Sequence, residues 1–114
     1  MNFTLLIYLT DPTNDLPDEV HADAVQRHRA LQEELGSDLL SVARLDEAPT
    51  GTTFRHDGER MPAVDGPYME SKEWLVGFYL IRCDSEEQAH ERAKMICTPN
   101  HVIEVRPVRW AGDP

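Results

Sequence analysis

The chain is predicted to be an α+β domain with the element order strand, helix, strand, hairpin, strand, helix, strand. Three observations predict it: apolar residues recur at helical spacing near residues 18 to 35 and 85 to 97, four stretches are rich in aliphatic and aromatic residues, and Asp57-Gly58 separates two short runs. With the hairpin from Thr52 to Val64 set aside, what remains is βαββαβ, two helices on one face of an antiparallel sheet.

Phe3 to Leu9 is almost continuously apolar and stops at the turn formers Asp11 to Asp15, which predicts a first strand buried on both faces. Helix signals follow. Asp18 is placed to cap, Glu19 sits in the first turn where the dipole favours an acid, and Gly36 follows Leu35 as a stop. Val20, Ala24, His28, Leu31 and Leu35 draw one stripe along this helix, with a histidine in its middle.

Leu39 to Leu45 reads as a second strand, and Ala48-Pro49-Thr50-Gly51 as the loop leaving it. Thr52 to His56 and Arg60 to Val64 then flank Asp57-Gly58, a pair favoured in two-residue hairpin turns. That register sets Phe54 against Met61 and His56 against Glu59. His56 and Asp57 fall at the tip, where solvated turn residues are expected.

The longest strand, about Trp74 to Cys83, is apolar at both alternating sets, with Trp74, Val76, Phe78 and Leu80 on one face and Leu75, Gly77, Tyr79 and Ile81 on the other. One helix layer covers one face only. The other face is expected to meet a second sheet or a second subunit. Ser85-Glu86-Glu87-Gln88 has the form of a capping box and opens a helix to about Cys97, with Ala89, Ala93 and Ile96 inward. His101 to Val108, closed off by Pro107, is the last strand, and Ala111 to Pro114 a tail.

At 114 residues one domain is expected, large enough to bury roughly 65% of the surface its unfolded chain exposes. Its net charge of -10 and its two lysines argue against direct nucleic-acid contact, which needs clustered cations on phosphate. No charged-then-apolar leader opens the chain, and no run approaches the roughly 20 apolar residues that span a bilayer, so a cytoplasmic protein with no membrane partner is expected. Cys83 and Cys97 form no zinc pattern. A helix of about a dozen residues between them would set them roughly 18 Å apart along its axis, beyond the roughly 7 Å that a disulfide allows. Both are read as buried or half-buried thiols. No His-Glu-x-x-His or comparable metal-ligand spacing occurs.

Asp65-Gly66-Pro67 admits neither helix nor strand centre: Pro67 fixes its own φ and pushes Gly66 away from α, so a tight turn must aim Asp65. The string Asp65-Gly66-Pro67-Tyr68, then Glu70-Ser71-Lys72-Glu73, then Gly77-Phe78-Tyr79-Leu80-Ile81, resembles the signature of the YCII-related family, also called DGPF-domain proteins. Leu5-Leu6-Ile7-Tyr8 and Glu104-Val105-Arg106-Pro107-Val108 are similar to the family's opening and closing strands, so the resemblance spans nearly the whole chain. It implies a ferredoxin-like βαββαβ unit, paired as a dimeric α+β barrel. The chain departs from the pattern at Tyr68, where Phe is usual, and at Val76, where Gly is common.

The resemblance also implies an Asp-His pair. Asp65 maps onto the loop aspartate. His28-x-x-Leu31-x-Glu33-Glu34-Leu35-Gly36 resembles the segment that carries the family's histidine, with His21, seven residues earlier, as the alternative. Each residue also has a plain structural reading: Asp65 as acceptor of backbone N–H groups in its own turn, His28 as a core histidine bonded to a carbonyl. An Asp beside an imidazole would raise its pKa and orient it as a general acid or base, with Tyr8, Phe78 and Tyr79 as walls. His90 and His101 show no evident partners, and Glu104-Val105-Arg106 reads as a strand edge or a subunit contact. Two functions follow from the resemblance: a cofactor-free acid-base enzyme of the lyase or dehydrohalogenase type on a small molecule, or a non-catalytic dimeric module associated with sigma-factor regulation. His28 and Asp65 belonging to one site, within hydrogen-bonding distance, is the expectation shared by the enzyme reading.

Overall fold

A computed structural model describes residues 1–11, 13, 15–67 and 73–109. Tyr68 to Lys72 of the loop motif and the tail Ala111 to Pro114 lie outside the described residues. The order is β1 (Asn2–Leu9), α1 (Asp18–Leu35), β2 (Leu39–Arg44), β3 (Thr52–Phe54), β4 (Ala63–Asp65), β5 (Trp74–Arg82), α2 (Glu86–Met95) and β6 (His101–Pro107). The fold is the α+β, ferredoxin-like arrangement that the sequence predicts: an antiparallel sheet of order β2-β5-β1-β6, with β3 and β4 pairing separately as the inserted hairpin.

Alternation decides which side of the sheet is dry. Phe3, Leu5 and Ile7 of β1 are buried while their neighbours are half-exposed, and Tyr79 and Ile81 of β5 join them. Leu31 and Leu35 of α1, and Ala89, Ala93 and Ile96 at α2, close this face into one core. The earlier part of the α1 stripe, Val20, Ala24 and His28, is only half-buried. Helix ends follow local chemistry. Ser85 Oγ accepts from Gln88 N–H at 3.1 Å, while Gln88 Oε1 reaches back to Asp84 N–H at 2.8 Å, one residue before the cap. Gly36 ends α1 at φ 53°, in the left-handed region that suits glycine. Asp18 is the first helical residue and not the cap: Pro17 holds that place, and the acid acts only through the dipole.

Two irregularities interrupt the sheet, and the first corrects the predicted alternation of β5. Ile7 pairs with Gly77 but Tyr8 pairs with Leu75, so Val76 is an extra residue, a bulge. Leu6, Phe78, Tyr8 and Leu75 consequently share the open face, while Trp74 lies opposite Leu9 and turns to the helix side. A second shift at Leu40 separates the pairs Leu39↔Ile81 and Ser41↔Leu80.

The hairpin register also differs from the expectation. Phe54 pairs with Ala63, not Met61, and Asp57 N–H donates to Arg60 C=O at 3.0 Å, so Gly58 and Glu59 are the two turn residues. Gly58 takes φ +104°, and the Asp57 carboxylate accepts from Glu59 and Arg60 N–H groups. Glycine at the first turn position, with aspartate before it, wins over glycine at the second. Phe54, Met61 and Val64 are 67%, 67% and 61% exposed, so the hairpin stands off the body as an arm. The radius of gyration is 15.9 Å, against about 13 Å for a compact chain of this length.

Both cysteines are thiols, Cys83 buried and Cys97 exposed, which corrects the half-buried reading of the latter. Arg92, 6% exposed, ties α2 to the chain around it: it donates to Arg82 C=O at 2.9 Å and faces Glu34 and Asp38 at 3.7 and 3.5 Å.

Candidate active site

His28 projects from α1 onto the helix-facing side of the sheet, and its ring stacks on Tyr79 with centroids 5.8 Å apart and planes at 16°. Nδ1 lies 2.8 Å from the Tyr79 hydroxyl, which also accepts a 3.1 Å bond from Gln32 Nε2. The local reason is simple. Positions 28 and 32 lie one helical turn apart on the same face, and Tyr79 stands on the buried side of β5. Gly77, next along that face, carries no side chain, and a Cβ there would meet Ala43 C=O at 2.8 Å. Its absence lets β2 close on β5 and brings Arg44, paired with Gly77, toward His28.

Burial holds the His28 imidazole below its ordinary 6.5, and positive charge on His101 and Arg44 pushes the same way. The Tyr79 hydroxyl is pushed above 10.0 by burial, opposed by the Gln32 bond. The histidine is thus neutral and the tyrosine protonated at neutral pH. His101 Nδ1 lies 2.9 Å from Pro99 C=O and His90 sits 3.6 Å from Glu86, so both have partners that the sequence did not reveal.

Asp65 ends β4 and is exposed, opposite Thr52. The turn behind it is pinned by backbone: Gly66, at φ +103°, donates its N–H to Gly51 C=O at 2.6 Å, and its own C=O accepts from Thr53 Oγ1 at 2.8 Å. The Asp65 carboxylate accepts no hydrogen bond from another described residue. His28 and Asp65 are not hydrogen-bonded to each other, which corrects the expected contact. The physical reason is that His28 is already bonded to Tyr79, while Asp65 lies at the exposed end of β4. His28, not His21, meets the tyrosine.

Of the expected walls, Tyr79 is at His28, whereas Tyr8 and Phe78 face the opposite side of the sheet. Tyr8 instead reaches Glu104 at 3.4 Å, and Glu104 pairs with Arg106 on the sheet edge. A groove of about 430 Å³ runs beside the turn that follows Asp65, lined by Tyr8, Leu45, Glu47, Pro67, Trp74 and Leu75, and His28 does not line it. The Trp74 indole N–H is buried and has no hydrogen-bond partner among the described residues. His56 and Asp57 are exposed turn residues, as expected. Gln32 is the residue that the sequence reading missed; its spacing of four from His28 was the available signal.

Among the described residues no helix is long and apolar enough to cross a membrane, and no group of three or more His, Cys, Asp or Glu is placed to hold a metal ion. A family profile described as YCII-related domain matches residues 1–110. An uncharacterised protein of Rhizobium meliloti (strain 1021) is 39% identical over 88 residues, covering 75% of this chain and 68% of that one. A solved structure, the 5-chloro-2-hydroxyhydroquinone dehydrochlorinase of Burkholderia phenoliruptrix AC1100 in complex with 2,5-dihydroxybenzoquinone, is 18% identical. It covers 99% of this chain and 96% of its own at a TM-score of 0.41, a likeness too distant to carry activity across.

Proposed function

The chain belongs to the YCII-related domain family, and on that premise we propose that it is a small acid-base enzyme that moves a proton on a small molecule, by abstraction or elimination, without a cofactor. The observation that carries this is His28: a half-buried, neutral imidazole, stacked on a buried tyrosine and hydrogen-bonded to it, facing positive charge in a chain of net charge -10. Imidazoles with a shifted pKa beside charged groups are concentrated at functional sites. Asp65 is the second group, an exposed carboxylate presented by a pinned turn. Closure of that turn toward the sheet is part of the reading, because the two residues act on one ligand only when they approach.

The probe is deuterium exchange from solvent into the acidic C–H positions of small 1,3-dicarbonyl compounds, followed by NMR. His28→Gln and Asp65→Asn are each expected to lose at least about a hundredfold of the exchange rate, with melting temperatures within a few degrees of the parent. Unchanged exchange in His28→Gln, or a collapse of stability in both variants, rejects the enzyme reading.

A second reading is favoured by a different observation. Leu6, Tyr8, Leu75 and Phe78 share the open sheet face, and Phe54, Met61 and Val64 on the arm are largely exposed, apolar surface of the kind that a partner covers. We propose a cytoplasmic homodimer that covers this face. If no turnover accompanies it, the dimer serves as a binding module. Light scattering at micromolar concentration is expected to give twice the 13.0 kDa chain mass; a monomer rejects the dimer in either role.

A further inference from the structure

The Tyr79 hydroxyl has one proton to give and two lone pairs with which to accept. Gln32 Nε2 occupies one lone pair at 3.1 Å, and His28 Nδ1 lies at 2.8 Å. Tyr79 is 1% exposed, and no other described residue bonds to its hydroxyl. With the Gln32 amide nitrogen on the phenol, as the 3.1 Å bond has it, a proton on Nδ1 would make the phenolic oxygen accept twice and leave its own proton buried with no acceptor. If Nδ1 is bare, the phenol donates to it and every group is satisfied. We infer that Gln32 and Tyr79 are positioning residues that hold neutral His28 with its proton on Nε2, so that the imidazole meets a ligand as a hydrogen-bond donor and not as a base.

This deepens the acid-base reading and rests on it for the ligand. The ligand atom at Nε2 is then an acceptor oxygen, of a carbonyl, phenolate or carboxylate. Arg44, which has no carboxylate partner among the described residues, adds positive charge on the same side. A proton leaving carbon goes to a carboxylate, Asp65, and the electron pair it leaves spreads onto the oxygen that Nε2–H holds. No oxidant or further reactant is needed.

The tautomer is read directly by multiple-bond proton–nitrogen NMR on histidine-labelled protein above the His28 titration. In the wild type the Nε2–H form is expected to exceed the other by roughly tenfold or more. Gln32→Glu lies at an exposed position, and its carboxylate can only accept. Tyr79 O–H then turns to it, the phenolic oxygen accepts from Nδ1–H, and the tautomer inverts. Tyr79→Phe leaves neither form held, and a mixture is expected. A wild type protonated on Nδ1 or evenly split overturns the inference. So does an Nε2–H form that persists in Gln32→Glu with an unchanged melting curve. The measurement needs no substrate, so its failure is distinct from a failure to find turnover.

Discussion

The two ends of the helix–sheet sandwich are built on different terms. At one end Phe3 and Ile81 share one core with Leu31 and Leu35 of α1, Ala89 and Ala93 of α2 and Ile96 just after it; these side chains are nearly all below a few per cent exposed. At the other end α1 lies over the sheet with half-buried Val20, Ala24 and His28, and Arg44 and His101 stand nearby. One stripe on one helix thus runs from a dry core to a wet, charged edge within about two turns. The lesson is that the second helix decides where the core ends, and the candidate site occupies the part of the sheet that α2 leaves uncovered.

Substitutions on adjacent stripe positions should expose this difference most strongly. Leu31→Ala removes a fully buried side chain and is expected to cost about 2–5 kcal/mol in denaturant unfolding. His28→Gln, one turn away, removes a half-buried ring and one bond to Tyr79 and should cost about 1 kcal/mol. Equal costs would mean that the two ends are not distinct.

Gly77 lies between the two ends, and alanine there would force the Ala43 carbonyl to move from 2.8 Å. A loss of about 1–3 kcal/mol is expected. Hydrogen exchange should quicken in β2 around Arg44 while the amides of Leu31 and Leu35 keep their protection. Uniform loosening would break the comparison.

The smallest effect is on pH dependence. Because burial lowers the His28 pKa, the folded chain binds that proton more weakly than the unfolded chain. The His28 contribution to stability is therefore whole above the ordinary 6.5 and is lost as the pH falls through the lower folded value. His28→Gln should flatten the stability–pH curve in that interval. A curve as steep as the parent's would locate the titration elsewhere.

The elements were largely legible in the sequence because their causes are local. Helix α1 starts at Asp18 and ends at Leu35 as the spacing and Gly36 require, and Ser85 caps α2. The bulge at Val76 was not legible. An unbroken apolar run hides an extra residue, since every face assignment looks equally dry until the partner strand is known. The same limit applied to the site. His28 could be read off its stripe, but its partnership with Tyr79 spans 51 residues and depends on which face of β5 the tyrosine takes. The hairpin turn shifted by one residue because Gly58 serves the first turn position as readily as the second.

The projecting arm has a consequence for how the stability of this chain must be stated. Phe54, Met61 and Val64 sit in water in the lone molecule, so any self-association that covers them draws the folding equilibrium along by mass action. Folding free energy then ceases to be a constant of the molecule and becomes a function of its concentration. A dilute sample and a concentrated one would melt at different temperatures with no residue changed.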